Sequence, residues 1–256
     1  MGKQLAPTER FTSRVAQYSQ YRPGYPRALL DSLVDNYDLT PSKIVADIGS
    51  GTGLLTKLLL DNGNQVYGVE PNAAMRNAAE RLLAGYSRFL SIEGSAEHTT
   101  LPASSVDLVT AGQAFHWFDP KAARLEFARI LHPCGMVALI WNSRPPATSA
   151  FLTEYEELTR RFTNDSVRID HHTTEESGIN PFFSPSSFER ASFANFQDLD
   201  FEGLLGRLTS SSYIIAAHHP AYSRMVAELR DIFDRRARHG VVRMDYRTNL
   251  YIGRLS

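Results

Sequence analysis

The first half of the chain alternates short apolar runs of β-favouring residues with stretches whose apolar positions recur at helical spacing. The run at 44–48 ends in a glycine cluster, and the helical pattern after it closes at Asn62-Gly63. Strands are predicted at 44–48, 65–70, 88–92, 106–110 and 136–141, and helices at 54–60, 71–84 (with Pro71 in the first turn) and 120–131. This alternation predicts a parallel sheet with helices on both faces and a ligand site at the carboxyl ends of its strands.

The second half has a different pattern. An amphipathic helix at 151–162 and a polar loop at 171–185 precede a loosely alternating strand at 188–196. Helical patterns at 201–212 and 220–239 follow, and a clear alternating run occupies 241–251. We therefore predict two late strands, antiparallel to each other, with helices inserted between them.

Composition narrows the classes of function. The 256 residues include 27 Lys and Arg against 28 Asp and Glu, for a net charge of −1, which disfavours nucleic acid as the main partner. The single cysteine, Cys134, forms no internal disulfide, and no Cys/His cluster has zinc-ligand spacing, so no metal is predicted. No signal sequence or membrane-spanning stretch is recognisable. We expect a cytoplasmic protein, a monomer or homodimer, with no membrane partner.

The segment DIGSGTG, residues 47–53, lies where the first predicted strand passes into the first helix. Gly49, Gly51 and Gly53 stand at alternate positions, where they permit positive φ and let a ligand lie against bare backbone. The following helix presents free N–H groups that favour an electron-rich ligand group. The motif predicts a loop that a small molecule approaches closely.

Three cofactors compete for this loop. A nucleoside triphosphate loop needs Gly-Lys-Ser/Thr at its end, and here Leu-Leu-Thr follows Gly53, which excludes it. The dinucleotide motif needs Gly or Ala where this chain has Leu54 or Thr56 in the two possible registers, which weakens it. S-adenosylmethionine has no phosphate. Asp47 suits its ammonium group, directly or through water, and Glu70 can accept hydrogen bonds from both ribose hydroxyls.

Five motifs, in this order, resemble the class I S-adenosylmethionine-dependent methyltransferases: VADIGSGTG, GVEPN, EGSAEHTTLP, VDLVTAGQAFHWF and ILHPCGMVALIW. The chain is most similar to the small-molecule branch that includes the trans-aconitate methyltransferase type, and FTSRVAQYSQYRPGYP resembles that branch's N-terminal segment. The resemblance implies an α/β fold, a Rossmann-like, doubly wound, seven-stranded, mainly parallel sheet with an antiparallel last strand and a helical cap. It implies an N-terminal helical segment over the cofactor (1–40), the cofactor-binding core (41–145), and cap helices with the last two strands of the same sheet (146–256).

The resemblance also implies, position by position, which residues hold S-adenosylmethionine. Asp47, Gly49, Ser50, Gly51 and Gly53 form the loop, Glu70 holds the ribose, Pro71, Asn72 and Met75 flank the adenine, Ser95 and Ala96 contact its edge, Gln113 lies at the methionine end, and Tyr21 lies beside the sulfonium. Two positions depart from the family. Ser95 replaces a frequent Asp, although a hydroxyl also accepts hydrogen bonds, and Cys134 replaces a usual Gly.

Candidates on the acceptor side follow from the chemistry. Methyl transfer is an in-line displacement that depends on holding a nucleophile about 3–3.5 Å from the methyl carbon. His116 follows the fourth strand and is the candidate catalytic base, although a histidine that hydrogen-bonds the loop backbone explains it equally. Arg22 would pair with the cofactor carboxylate, with an anionic acceptor or with a surface acid. Substrate contacts are predicted for Tyr18, Arg22, Trp117, Arg144 and Tyr213.

The sequence thus predicts an S-adenosylmethionine-dependent methyltransferase that acts on a small molecule, with O-methylation of a carboxylate or hydroxyl favoured. Two alternatives stay open: a non-catalytic S-adenosylmethionine-binding or partner protein of the same fold, and a nucleotide-linked oxidoreductase.

Overall fold

The structure, a computed structural model, describes residues 21–163, 178–211 and 213–255. Its elements, in chain order, are α1 (Arg27–Tyr37), β1 (Ile44–Ile48), α2 (Leu54–Asp61), β2 (Gln65–Val69), α3 (Ala73–Leu82), β3 (Phe89–Ile92), β4 (Val106–Gly112), a 3-10 turn (Phe115–Trp117), α4 (Pro120–Ile130), β5 (Leu131–Ser143), α5 (Ala150–Arg161), α6 (Ile179–Phe183), β6 (Phe188–Leu199), α7 (Phe201–Thr209), α8 (Tyr222–Arg236) and β7 (Val242–Gly253). None of the helices in these ranges is both long enough and apolar enough to cross a membrane.

Seven strands form one sheet in the order β3-β2-β1-β4-β5-β7-β6. Strands β1 to β5 pair in parallel, and β7 runs antiparallel to both of its neighbours, β5 and β6. The predicted fold class, with an antiparallel last strand, is confirmed. The chain starts in β1, moves outward to β3 and then crosses back to β4, so the connection order reverses between β1 and β4. That reversal opens a crevice at the carboxyl ends of these strands.

Apolar side chains from helices cover both faces of the sheet. Leu33 of α1 and Leu59 of α2 are fully buried against one face, and Phe127 of α4 is fully buried against the other. A third buried cluster joins α5, α7 and α8 to β7 and includes Tyr155 and Leu229. Each of these large side chains contributes about 1.5–3 kcal/mol on burial. The helical cap therefore packs directly on the antiparallel end of the sheet.

Three details differ from the sequence predictions. Helix α3 begins at Ala73 because Asn72 caps it, so Pro71 precedes the cap instead of occupying the first turn. The predicted polar loop at 171–185 ends in the short helix α6, whose Ile179, Phe182 and Phe183 are buried in the core. Strand β5 begins at Leu131, earlier than predicted, because its start pairs with β4 across a register shift. Cys134 takes a φ of 69° in this region, a conformation that a glycine adopts without strain.

Candidate functional site

A cavity of about 350 Å³ opens at the carboxyl ends of β1, β2 and β4, where the connection order reverses. Most of the residues predicted to hold the cofactor lie on its wall. These are Asp47, Gly49, Ser50, Gly51, Glu70, Pro71, Asn72, Met75, Ser95, Ala96 and Gln113, joined by the predicted substrate residue Trp117. The structure therefore brings together residues from four separate segments of the chain, 47–51, 70–75, 95–96 and 113–117, around one concave space.

The glycine loop adopts three left-handed conformations, with φ of 66° at Gly49, 56° at Gly51 and 87° at Gly53. A Cβ added at Gly51 would meet open space, since the nearest atom is the Gly49 carbonyl oxygen at 4.0 Å. A Cβ at Gly49 would lie 2.6 Å from the Cβ of Ala114. Gly51 therefore leaves room on the cavity wall, whereas Gly49 is required by close packing inside the protein.

Gly53 differs from its predicted role, because it is not on the cavity wall. It is the N-cap of α2, and a Cβ there would lie 2.9 Å from Cδ1 of Leu83 on the far side of the loop. Its glycine is needed for helix geometry and packing, and its predicted part in holding the cofactor stays a prediction.

Glu70 follows β2, and its carboxylate faces the glycine loop. Oε2 accepts a hydrogen bond from the backbone N–H of Gly51 at 3.0 Å, and Oε1 accepts one from the N–H of Asn72 at 2.9 Å. Only 9% of the residue is exposed. Burial raises the pKa of Glu70, while the two backbone hydrogen bonds oppose the rise. An ionised carboxylate has about four lone-pair positions, so both oxygens can still accept hydrogen bonds from a ligand.

Asp47 lies beneath the loop and is 1% exposed. Its Oδ2 accepts a hydrogen bond from Oγ1 of Thr56 at 2.6 Å, and its Oδ1 accepts one from Oγ1 of Thr110 at 2.9 Å. Burial raises the pKa of Asp47 to about 6, although both threonine hydroxyls act in the opposite direction. The threonines were not predicted as site residues. The available signal was a polar residue at an otherwise apolar position of α2 and of β4.

Apolar groups form the wall beyond Glu70. Met75 and Ala96 are almost completely buried, and Phe118 packs beneath Gly49. The loop that carries Ser95 and Ala96 is anchored from α4 by Glu126, which accepts hydrogen bonds from the N–H and Oγ1 of Thr99 at 2.8 and 2.6 Å. A paired Arg129 side chain, together with these bonds, lowers the pKa of Glu126 to about 2. The anchor fixes the distance between this loop and the rest of the cavity.

Gln113 directly follows β4 and lines the cavity. It holds a φ of 56°, unusual for a residue with a side chain, and its Nε2 donates to the carbonyl of Asn142 at 2.8 Å. Tyr25 also lines the cavity, with its hydroxyl packed against Gly112, and it was not among the predicted site residues. Tyr25 lies in the stretch before α1, where the only sequence signal was the resemblance of residues 11–26 to a family segment.

The prediction for His116 does not agree with its position. The side chain is exposed on the 3-10 turn and packs against the indole of Trp117, with ring centroids 4.9 Å apart, and it is not on the cavity wall. The turn aims Trp117 at the cavity and His116 at solvent. The alternative that His116 serves the loop fits this position better than a catalytic base.

The N-terminal and cap residues form a second group. Tyr21 does not line the cavity: its ring packs against Gly206 of α7, and its hydroxyl donates to Glu202 at 3.3 Å, so its predicted contact with the sulfonium stays a prediction. Arg22 and Arg144 both act electrostatically on Tyr213, and none of the three residues lines the cavity. Tyr18 lies outside the described residues.

Comparisons with known proteins identify the family of the chain. The family described as "Methyltransferase domain" matches residues 46–139, which contain the glycine loop, Glu70 and Gln113. An uncharacterized methyltransferase of Mycobacterium tuberculosis (strain ATCC 25618 / H37Rv) is 31% identical over 222 residues, covering 87% of this chain and 84% of that protein. An uncharacterized methyltransferase of Schizosaccharomyces pombe is 26% identical, covering 87% of this chain and 86% of the relative.

The fold agrees as well. A structure from Anaeromyxobacter dehalogenans, provisionally described as a type II methyltransferase, superimposes with a TM-score of 0.63 at 24% identity over 91% of this chain and 95% of the other. That structural match shows the fold alone, whereas the similarity to the sequence relatives shows the family. By its glycine loop, its sheet order and these relatives, the chain belongs to the class I S-adenosylmethionine-dependent methyltransferases.

Proposed function

We propose that the protein transfers a methyl group from S-adenosylmethionine to an oxygen of a small-molecule acceptor, as in the branch that includes the trans-aconitate methyltransferase type. The observation that carries the proposal is the open position at Gly51 directly beside the buried Glu70 carboxylate. Because Gly51 has no side chain, a sugar can lie against the loop. The two oxygens of the neighbouring Glu70 carboxylate can then accept hydrogen bonds from two adjacent sugar hydroxyls.

The remaining wall suits the other parts of S-adenosylmethionine. Met75, Ala96 and Trp117 offer apolar surface for a flat base, and Ser95 offers a hydroxyl at its edge. Asp47 would hold the ammonium of the methionine tail, because its carboxylate lies beneath the loop with lone pairs left beside its two threonine bonds. When bound, the cofactor supplies an electrophilic methyl group on a sulfonium.

The protein's own residues would contribute by holding the acceptor and the cofactor in the orientation that the reaction needs. The acceptor oxygen must lie in line with the breaking carbon–sulfur bond. The cofactor would supply the methyl carbon and its sulfur would keep the electron pair of the carbon–sulfur bond, so the residues of the wall need only hold the acceptor oxygen in line with that bond. The titratable groups on the described cavity wall are Tyr25 and the carboxyl groups of Asp47, Glu70 and Glu97. Histidine, lysine and cysteine are absent from that wall among the described residues. This favours an acceptor that is already ionised, such as a carboxylate, because it needs no base.

Isothermal titration calorimetry with S-adenosylmethionine and, separately, with NAD tests the cofactor. We expect saturable heat from the first ligand alone, and heat from NAD alone would overturn the proposal. Incorporation of tritiated methyl groups across a panel of carboxylic acids, phenols and amines then tests the acceptor. Labelling confined to amines would contradict O-methylation, and binding without labelling of any acceptor would favour the non-catalytic alternative.

A further inference from the structure

Three arginines and three tyrosines gather between the cap and the sheet. We call this group the cap cluster: Arg22, Arg144, Arg207, Tyr155, Tyr213 and Tyr246. Nε of Arg207 donates to the Tyr246 hydroxyl at 3.0 Å, and the Arg144 guanidinium lies 5.7 Å from the ring centroid of Tyr155. Arg22 approaches from the N-terminal side, where its Nη2 donates to the carbonyl of Ser210 at 3.2 Å. The cluster joins four separate parts of the chain, around residues 22, 144–155, 207–213 and 246.

Arg207 is the central feature of the cap cluster because its charge is buried, with 7% of the residue exposed. Its hydrogen bonds go to neutral groups, the Tyr246 hydroxyl and Oγ of Ser211 at 3.2 Å. Within the described ranges, no Asp or Glu forms an ion pair with Arg207 or Arg144. Burying a cation without an opposite charge costs several kcal/mol, so an anion brought next to Arg207 would be stabilised there.

The pKa of Tyr213 responds to the positive charges of the cap cluster. Burial by itself raises the pKa of this phenol, yet the guanidinium groups of Arg144 and Arg207, a hydrogen bond with Ser211 and the charge of Arg22 together hold the pKa below its ordinary value. The three positive charges therefore act on one small region, and this region attracts negative charge.

The cap cluster lies beside the cofactor cavity without lining it. Arg144 comes two residues after Asn142, whose carbonyl accepts the hydrogen bond from Gln113 on the cavity wall. Arg22 precedes Tyr25, which is also on that wall. Cluster and cavity therefore share the carboxyl edge of the sheet, but an anion held by the cluster lies outside the wall of the cofactor cavity.

We propose that the cap cluster is an anion-binding subsite that anchors a carboxylate or phosphate group of the methyl acceptor, while a different oxygen of the same molecule receives the methyl group. The inference rests on the proposed function and deepens it. A carboxylate held by guanidinium groups has its lone pairs engaged in charge-assisted hydrogen bonds, which makes it a good anchor and a poor nucleophile. The acceptor is then bifunctional, with an anionic end at the cap and a nucleophilic end at the cavity.

Calorimetry on the protein saturated with S-adenosylhomocysteine tests this subsite. The probes are succinate, inorganic phosphate and the neutral isostere succinamide. We expect saturable heat from succinate, phosphate or both, and none from succinamide. Binding of succinate alone identifies a carboxylate anchor, and tighter binding of phosphate identifies a phosphate anchor. Absence of heat from both anions, or equal binding of succinamide, would overturn the proposal.

Two variants locate the binding. Arg144→Gln should weaken anion binding at least tenfold and leave S-adenosylhomocysteine affinity unchanged. The matched control is Arg190→Gln, since Arg190 lies over the ring of Tyr251 at a similar 5.3 Å but outside the cap cluster. Arg207→Lys, with circular dichroism as the folding check, should also weaken binding. If it fails to fold, Arg144→Gln decides. Equal affinities of Arg144→Gln and Arg190→Gln for the anions would show that the cap cluster is not the anion-binding subsite.

The two proposals fail separately. Loss of S-adenosylhomocysteine binding with retained, Arg144-dependent succinate or phosphate binding would contradict the cofactor assignment alone. Normal S-adenosylhomocysteine binding without anion binding would contradict the subsite alone.

Discussion

The carboxylate of Glu70 accepts a hydrogen bond from the backbone N–H of Gly51 across the mouth of the β1–α2 loop, at 3.0 Å. The bond ties the end of β2 to the loop after β1, the two neighbouring strands whose carboxyl ends frame the cavity. It also aims the carboxylate at the space that the glycine leaves open.

Gly51→Val should abolish measurable binding of S-adenosylmethionine, with a loss on the order of 100-fold or more (about 2.7 kcal/mol). The added side chain occupies the open space and strains a backbone with a φ of 56°. Gly240→Val is the matched control, because Gly240 has a φ of 79° and open space but lies before β7, away from the cavity. Calorimetry should show normal affinity for the control. Similar losses in both variants would attribute the effect to backbone strain.

Glu70→Gln should weaken S-adenosylmethionine binding by about an order of magnitude, because hydrogen bonds to a charged acceptor contribute about 1.5–3 kcal/mol. Glutamine keeps the size of the side chain, so the fold should persist. Glu189→Gln, which alters the glutamate bonded to the Tyr37 hydroxyl at the far edge of the sheet, serves as the comparison. Unchanged affinity in Glu70→Gln would mean that this carboxylate does not contact the ligand.

The pH dependence of stability should reveal Asp47. Its pKa in the folded protein, about 6, lies above its ordinary value of 3.8, so the folded state binds this proton more tightly than the unfolded state. The stability that Asp47 contributes is fully present below pH 3.8 and is lost as the pH rises through 6, an effect on the order of 3 kcal/mol. Urea unfolding of the native protein and of Asp47→Asn should be measured between pH 4 and 7. Since asparagine does not titrate, the difference between the two proteins gives the pH-dependent contribution of Asp47.

The free energy of unfolding of the native protein, relative to Asp47→Asn, should therefore fall across this range. Bound S-adenosylhomocysteine should move the change to lower pH, because a neighbouring ammonium stabilises the carboxylate. A constant difference between the two proteins would show that the carboxyl group does not titrate in this window.

The contribution of Glu126 to stability should depend on pH in the opposite direction to that of Asp47. Its pKa is lowered from 4.5 to about 2, mainly by Arg129, so its contribution is present above pH 4.5 and disappears as the pH falls through 2. Glu126→Gln should destabilise the protein by about 2 kcal/mol at pH 7 and by much less near pH 2. It should also weaken cofactor binding modestly, because the loop with Ser95 and Ala96 loses its anchor. Equal destabilisation at both pH values would assign the effect to packing.

Patterns of apolar residues predicted the strands of the sheet and the position of the cavity because both depend on local periodicity and chain order. The positions of the glycine loop and of Glu70 could also be predicted from the sequence, since each follows a predicted strand. Helix α6 was missed because its three apolar residues are interrupted by Asn180 and Pro181 within a polar stretch. A helix this short carries too little periodicity to be recognised.

The errors at the site have a different origin. Arg207 looks like a surface charge on an amphipathic helix, and its burial depends on Tyr246, which comes 39 residues later in the chain. His116 and Trp117 are neighbours in sequence, yet a single 3-10 turn decides which side chain meets the cavity. Sequence position alone places such residues near the right loop without giving the direction of their side chains.

The placement of β7 has a consequence for how the molecule is made. Strand β7 is the last of the seven sheet strands in chain order and is inserted between β5 and β6, so β6 has no neighbour in this sheet until residues 242–253 have been synthesised. Assembly of the sheet therefore cannot finish during translation of the first 241 residues. A polypeptide cut short there would expose two strand edges that are prone to aggregation.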